Sequence, residues 1–172
     1  MAIKKLAFIL FGLVLLSCKK DKPMELQKTL YVGSELKTNG YYYSSVIDDE
    51  GVQRYAIVVL YRDGTFLFPG IEREHNTSLS EIEAEIVNGN AYANSADRKL
   101  AWGLFLVDND ELTVENWFPV LFRGMHTVQS KAIIENDSTF TVQPNDKKGG
   151  WPERTYNFKA FSPKPDSTNA FI

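Results

Sequence analysis

Few residues in this sequence could do chemistry, and they are scattered. There are two histidines, His75 and His126, and neither has a second ligand at the spacing a zinc ion needs. His75 stands in Glu72-Arg73-Glu74-His75, where Glu72 or Glu74 could join it on a metal; a polar loop before a helix accounts for the same residues. Asp108-Asn109-Asp110-Glu111 begins like a calcium loop, but Leu112 occupies the place of a third oxygen ligand and no glycine follows. That stretch reads as a hairpin turn. Glu81 and Glu85 lie at i,i+4. Paired carboxylates cleave glycosides only across a cleft that fixes their separation, whereas beside an apolar stripe they are the wet side of a helix. No Gly-x-Ser-x-Gly occurs, and Lys147-Lys148-Gly149-Gly150 lacks the spacing of a phosphate loop. The chemistry contracts to one thiol, Cys18, the single cysteine of 172 residues. It rules out an internal disulfide and a thiolate metal cluster. The expectation is a protein with no catalytic residue, no metal site and no cofactor.

Cys18 has a telling location. Met1 to Lys5 carries Lys4 and Lys5, and Leu6 to Leu16 is an unbroken apolar run. A helix of that length reaches ~16 Å, short of a hydrocarbon core roughly 30 Å thick. A charged start followed by a short apolar run reads as a secretory signal peptide over 1–17. The run ends in Leu15-Leu16-Ser17-Cys18, which resembles the lipobox of bacterial lipoprotein precursors. The resemblance implies a diacylglyceryl group on the Cys18 sulfur, cleavage after Ser17 and acylation of the new amino terminus. More than one chain is what stable anchoring requires. Lys19-Lys20-Asp21-Lys22 resembles the short charged export signals of Bacteroidetes surface lipoproteins. No Asp follows Cys18 directly; in enteric bacteria an Asp there resembles an inner-membrane retention mark, so the outer membrane is expected, periplasmic or surface-facing.

Without residues 1–17 the chain carries 17 basic and 22 acidic groups. Nucleic acid is a poor partner for such a balance, since its binding needs basic stripes that release counterions. The hydrophobic fraction of 44% is that of a folded chain, and 13% aromatic residues tilt it toward strands.

Residues 18–36 are polar, contain Pro23 and read as the lipidated start and a tether. From 37 to 172, strand-like runs alternate with turn residues. Tyr41–Ile47 precedes Asp48-Asp49-Glu50-Gly51. Gln53–Arg62 is followed by Asp63-Gly64 and Thr65–Phe68, the strongest short hairpin signal in the chain. Ser78-Leu79-Ser80-Glu81 has capping-box spacing, and Leu79, Ile82 and Ile86 recur at helical spacing; one short helix, a lid or plug, is expected there. Leu100–Val107 is nearly all apolar, as in a strand covered on both faces. Leu112–Phe118, Val128–Glu135, Thr139–Gln143 and Thr155–Phe161 follow, with Val128, Ser130, Ala132 and Ile134 sharing a face and Phe140 and Val142 inward. Ser162–Ile172 holds Pro163 and Pro165 and reads as an extended tail whose Phe171-Ile172 docks back. About eight short-linked antiparallel strands close readily into a barrel; a two-sheet sandwich is the alternative.

Trp102-Gly103-Leu104-Phe105, Val114-Glu115-Asn116-Trp117-Phe118-Pro119 and Phe161-Ser162-Pro163-Lys164-Pro165-Asp166 resemble lipocalin-like lipoproteins of Bacteroidetes over about Thr38 to Ile172. Asn39-Gly40-Tyr41-Tyr42 puts Tyr42 where lipocalins carry the Trp of Gly-x-Trp. The resemblance implies a lipocalin-like barrel and, with the anchor, a non-enzymatic envelope protein. Its expected partners are the membrane through Cys18 and either a small apolar or amphipathic ligand or an envelope protein; the alternative is an accessory subunit of an outer-membrane complex. Tyr41, Tyr43, Tyr61, Trp102, Trp117, Phe118, Trp151 and Tyr156 either pack a core or line a cavity. Trp151, in a loop beside Gly149-Gly150 and Pro152, is the one expected to be exposed.

Overall fold

At the Asp63-Gly64 turn, Gly64 takes φ +83°, and Asp63 Oδ1 accepts hydrogen bonds from the Thr65 backbone N–H at 3.1 Å and its hydroxyl at 2.6 Å. Asn109 reverses the chain at φ +56°, a left-handed position that Asn tolerates better than most residues. Such turns join the strands in a computed structural model that describes residues 21–47, 50–68, 78–87, 98–121 and 123–172. The strands are β1 (Gly40–Ile47), β2 (Gln53–Leu60), β3 (Thr65–Leu67), β4 (Trp102–Asp108), β5 (Glu111–Val120), β6 (Gly124–Asn136), β7 (Thr139–Val142) and β8 (Arg154–Ala160). Each pairs antiparallel with the next, and β1 pairs with β8, so the sheet closes as an eight-stranded barrel. That closure excludes the two-sheet sandwich. A helix, α1 (Leu79–Val87), and a 3-10 turn at Lys99–Ala101 are the other regular elements among the described residues. None of the described helices is long and apolar enough to cross a membrane.

Period-two alternation sends Tyr42, Val58, Leu60, Phe66, Phe105, Leu112, Val114, Ala132, Phe140, Val142 and Tyr156 inward, where they form one continuous core. Phe140 stacks on Tyr156 at 5.0 Å and meets Tyr42 at 5.1 Å between ring centroids. Trp151 belongs to this core. It is 3% exposed, stacks on Phe68 at 5.1 Å and meets Phe66 edge-on at 5.3 Å. The expectation of an exposed Trp151 is therefore corrected: its loop folds into the barrel end, and its backbone N–H donates to Ser130 Oγ at 2.9 Å.

The outer wall from β1 to β4 is also covered. Tyr41, Ile57, Val59, Leu67 and Trp102 pack beneath Ile82 of α1 and against Phe161, Phe171 and Ile172 of the tail. This explains the continuous apolar sequences of β2 and β4, which are buried on both faces. The Ser78 and Glu81 capping box forms, with Ser78 N–H donating to Glu81 Oε2 at 3.1 Å and Glu81 N–H to Ser78 Oγ at 3.3 Å. The helix is not a plug, because Ile82 faces the outside of the barrel wall. Glu83 ties it there, accepting from the Tyr41 hydroxyl at 2.8 Å and pairing with Lys159 at 2.9 Å. The Glu85 and Ile86 side chains lie outside the described residues.

The barrel end where β1 begins is crossed by the chain leading into it. The Tyr31 ring packs edge-on against Phe105 at 5.6 Å, and its hydroxyl accepts the Leu36 N–H at 2.7 Å. Residues 21–36 are thus a strap packed along the barrel, with only their exposed side chains behaving as a tether would. The opposite end gathers the β1–β2 and β5–β6 turns, the β3–β4 connection and the Trp151 loop.

Candidate functional site

Among the described residues, the inward faces pack aromatic rings into the barrel. Asn116 Oδ1, Trp151 Nε1 and Arg154 Nη1 are buried without a hydrogen-bond partner among the described residues, but aromatic rings fill the space around Trp151. An open groove lies on the outer wall. There β4 and β5 place Leu104 and Trp117 on the solvent side of the sheet, since Phe105 and Val114, one residue out of phase, point inward. The strap lays Asp21, Pro23 and Met24 along one margin, and the tail lays Phe171 and Ile172 along the other. Together with Lys99 they bound a groove of about 330 Å³, at the lower end of the range for small-molecule pockets.

The polar end of the groove is ordered. Lys99 Nζ lies 2.7 Å from Asp21 Oδ2 and 3.8 Å from the centroid of the Trp117 ring, a cation held over an aromatic face. Asp21 Oδ1 also accepts the Met125 N–H at 2.8 Å. The hydrogen bond from Lys99, with that from Met125, holds the Asp21 carboxyl below its ordinary value. Trp117 is 6% exposed, and its Nε1 has no partner among the described residues. The arrangement offers apolar walls and one ammonium with donors to spare beyond Asp21. It suits a small amphipathic molecule with an anionic or carbonyl head.

Most residues singled out by type alone are not brought together. His126 is on β6 with its ring 6.2 Å from Phe118, and His75, Glu72 and Glu74 lie outside the described residues. No group of metal-ligating side chains occurs among the described residues. Asp108-Asn109-Asp110-Glu111 closes the β4–β5 hairpin. Cys18 is outside the described residues. Of the aromatic set, Trp117 lines the groove, Trp151 and Tyr156 fill the interior, and Tyr41, Tyr61 and Trp102 pack under the helix and tail. Phe171-Ile172 docks, as its apolar end suggested. Sequence reasoning missed Lys99, Asp21 and Met24, which come together only because the strap folds back over β5. A Trp on the outward phase of a strand, as Trp117 is, was the one available signal.

Fold and groove define a closed eight-stranded antiparallel barrel with an external apolar groove built from both ends of the chain. No protein-family model matches the chain, and no curated protein or solved structure matches it.

Proposed function

We propose that the protein is a non-enzymatic, lipid-anchored lipoprotein of the bacterial cell envelope, similar to the lipocalin-like lipoproteins of Bacteroidetes, and that it binds a small amphipathic ligand on the outside of its barrel. The lipobox-like Leu15-Leu16-Ser17-Cys18 supports the anchor. The observation that carries the ligand reading is the groove over Leu104 and Trp117 with Lys99 at its polar end. The rings packed inside the barrel among the described residues support a ligand site on this wall rather than in the interior, where a lipocalin would hold it. The packed interior also supports a second reading, an accessory subunit of an outer-membrane complex whose surface alone matters.

Native mass spectrometry of the protein purified from its host membranes tests both. An amphiphile retained by the wild-type protein, lost on removal of Phe171-Ile172 and weakened by Lys99→Ala, is the expected result. A wild-type protein free of amphiphile that crosslinks to an envelope protein would establish the accessory-subunit reading instead.

A further inference from the structure

The strap is fastened to the barrel almost as soon as it leaves Cys18. The Lys22 N–H donates to the Met125 carbonyl at 2.8 Å, and the Met125 N–H donates to Asp21 Oδ1 at 2.8 Å. The chain from residue 18 to residue 22, fully extended, spans at most about 14 Å. A lipid on Cys18 would therefore hold the start of β6 within that reach of the bilayer surface. The leash is too short to let the barrel tumble freely.

The end held this way projects a hairpin. β5 and β6 pair from Glu111↔Ile133 out to Val120↔Gly124, whereas β4 begins at Trp102 and its last partner on β5 is Asn116. Gly103 pairs with Asn116, so Trp102 stands level with Trp117, and Phe118 to Val120 with their β6 partners run past the start of β4 by ~10 Å. The apex carries Leu121, 79% exposed, beside exposed Arg123. The same end carries Ile47 at the close of β1, 72% exposed, and Leu100 beside the Lys99 that fastens the strap. Isolated exposed apolar side chains are ordinary on soluble surfaces, and Leu30 and Val32 are exposed at the other end too; what sets Leu121 and Ile47 apart is that the leash brings their end to lipid. Lys19 and Lys20 stand between the cysteine and the fastened residues, matching anionic headgroups.

We propose that this end of the barrel rests on the bilayer that carries the anchor, with Leu121 of the β5–β6 hairpin entering the boundary between headgroups and acyl chains. The occupant of this apolar rim is phospholipid. The inference rests on the lipid at Cys18 and is independent of the groove.

In the lipidated protein the Cys18 thiol is consumed, so Leu121→Cys supplies a single free thiol for an environment-sensitive fluorophore. Val32→Cys, 80% exposed at the opposite end, is the matched control, and neither position is in the packed core. Both are reconstituted into vesicles of phosphatidylcholine and phosphatidylglycerol bearing shallow nitroxide quenchers, and intact mass is measured on the same samples. The expected result is several-fold stronger quenching at position 121 than at position 32. Equal quenching on protein whose mass shows the lipid overturns the orientation while leaving the anchor standing. A mass without lipid on Cys18 overturns the anchor and the orientation with it.

Discussion

Glu115 Oε2 accepts the backbone N–H of Leu26 at 2.7 Å, and both oxygens of the same carboxylate accept the N–H of Glu25, at 3.0 and 2.9 Å. Glu115 is 1% exposed. A carboxylate so buried is tolerated because main-chain donors of the strap replace the water it loses. This buckle holds Asp21, Pro23 and Met24 in place along the groove. Glu115→Ala should cost about 1–3 kcal/mol, the range for unmaking a buried charged acceptor, with Glu115→Gln costing less. Hydrogen exchange should accelerate first at the Glu25 and Leu26 amides. Unchanged exchange there would show that the strap is held by other contacts.

Trp151 closes the far end of the core between Phe68, Phe66 and Tyr156. Its Nε1 has no partner among the described residues, so its contribution is volume. Trp151→Ala should destabilise the protein by about 3–5 kcal/mol, measured by urea unfolding. Trp151→Phe should recover much of that, because no hydrogen bond is lost. A Phe variant as unstable as the Ala variant would mean that the indole N–H matters.

Lys164 from the tail reaches under the barrel end where β1 begins, donating to the carbonyls of Thr38 at 2.7 Å and Leu60 at 3.0 Å, with Tyr61 4.3 Å beneath the ammonium. Burial lowers its pKa from 10.5 to about 8, Arg62 adding to the effect and Asp63 opposing it. Between those values the unfolded chain binds more protons than the folded one, so stability should rise with pH from about 8 toward 10.5. Tyr42 acts in the opposite sense: burial raises its pKa above the ordinary 10.0, so its contribution falls as pH climbs past that value. Thermal unfolding in alkaline buffers should therefore show a maximum near pH 10. Lys164→Met should flatten the rise below it while leaving the fall above it. A rise that survives in Lys164→Met would assign it to another group.

Strand content and barrel closure were legible because turn chemistry and alternation agree: Asp63-Gly64 and Asn109 reverse the chain where the apolar runs stop. Inward and outward phases were legible on β6 and β7 for the same reason. β6 nevertheless begins at Gly124, four residues before the alternation at Val128 does, because backbone pairing with β5 needs no hydrophobic pattern. Trp151 was misplaced because a Gly-Gly-Trp-Pro loop looks the same whether it leaves the barrel or enters it. The groove was illegible for a deeper reason. Asp21, Lys99 and Ile172 are far apart in sequence, and only the Glu115 buckle and the docked tail bring them to one wall.

Membrane attachment should depend on Cys18 alone. The apolar run 6–16 is too short to span a bilayer comfortably, and the exposed rim at Ile47 and Leu121 presents isolated side chains. Even a single acyl chain binds membranes only reversibly, so one or two leucine-sized contacts would not retain an unlipidated protein through a wash. Cys18→Ala should therefore move the protein from the membrane fraction to the soluble fraction of fractionated cells. Its fold should be unchanged, because Cys18 precedes every described residue that packs on the barrel. An ordinary signal peptide with an incidental cysteine makes a different prediction, a soluble protein with or without the substitution. A Cys18→Ala variant that stayed with the membrane through high salt and carbonate would refute the lipid anchor and leave attachment to a protein partner.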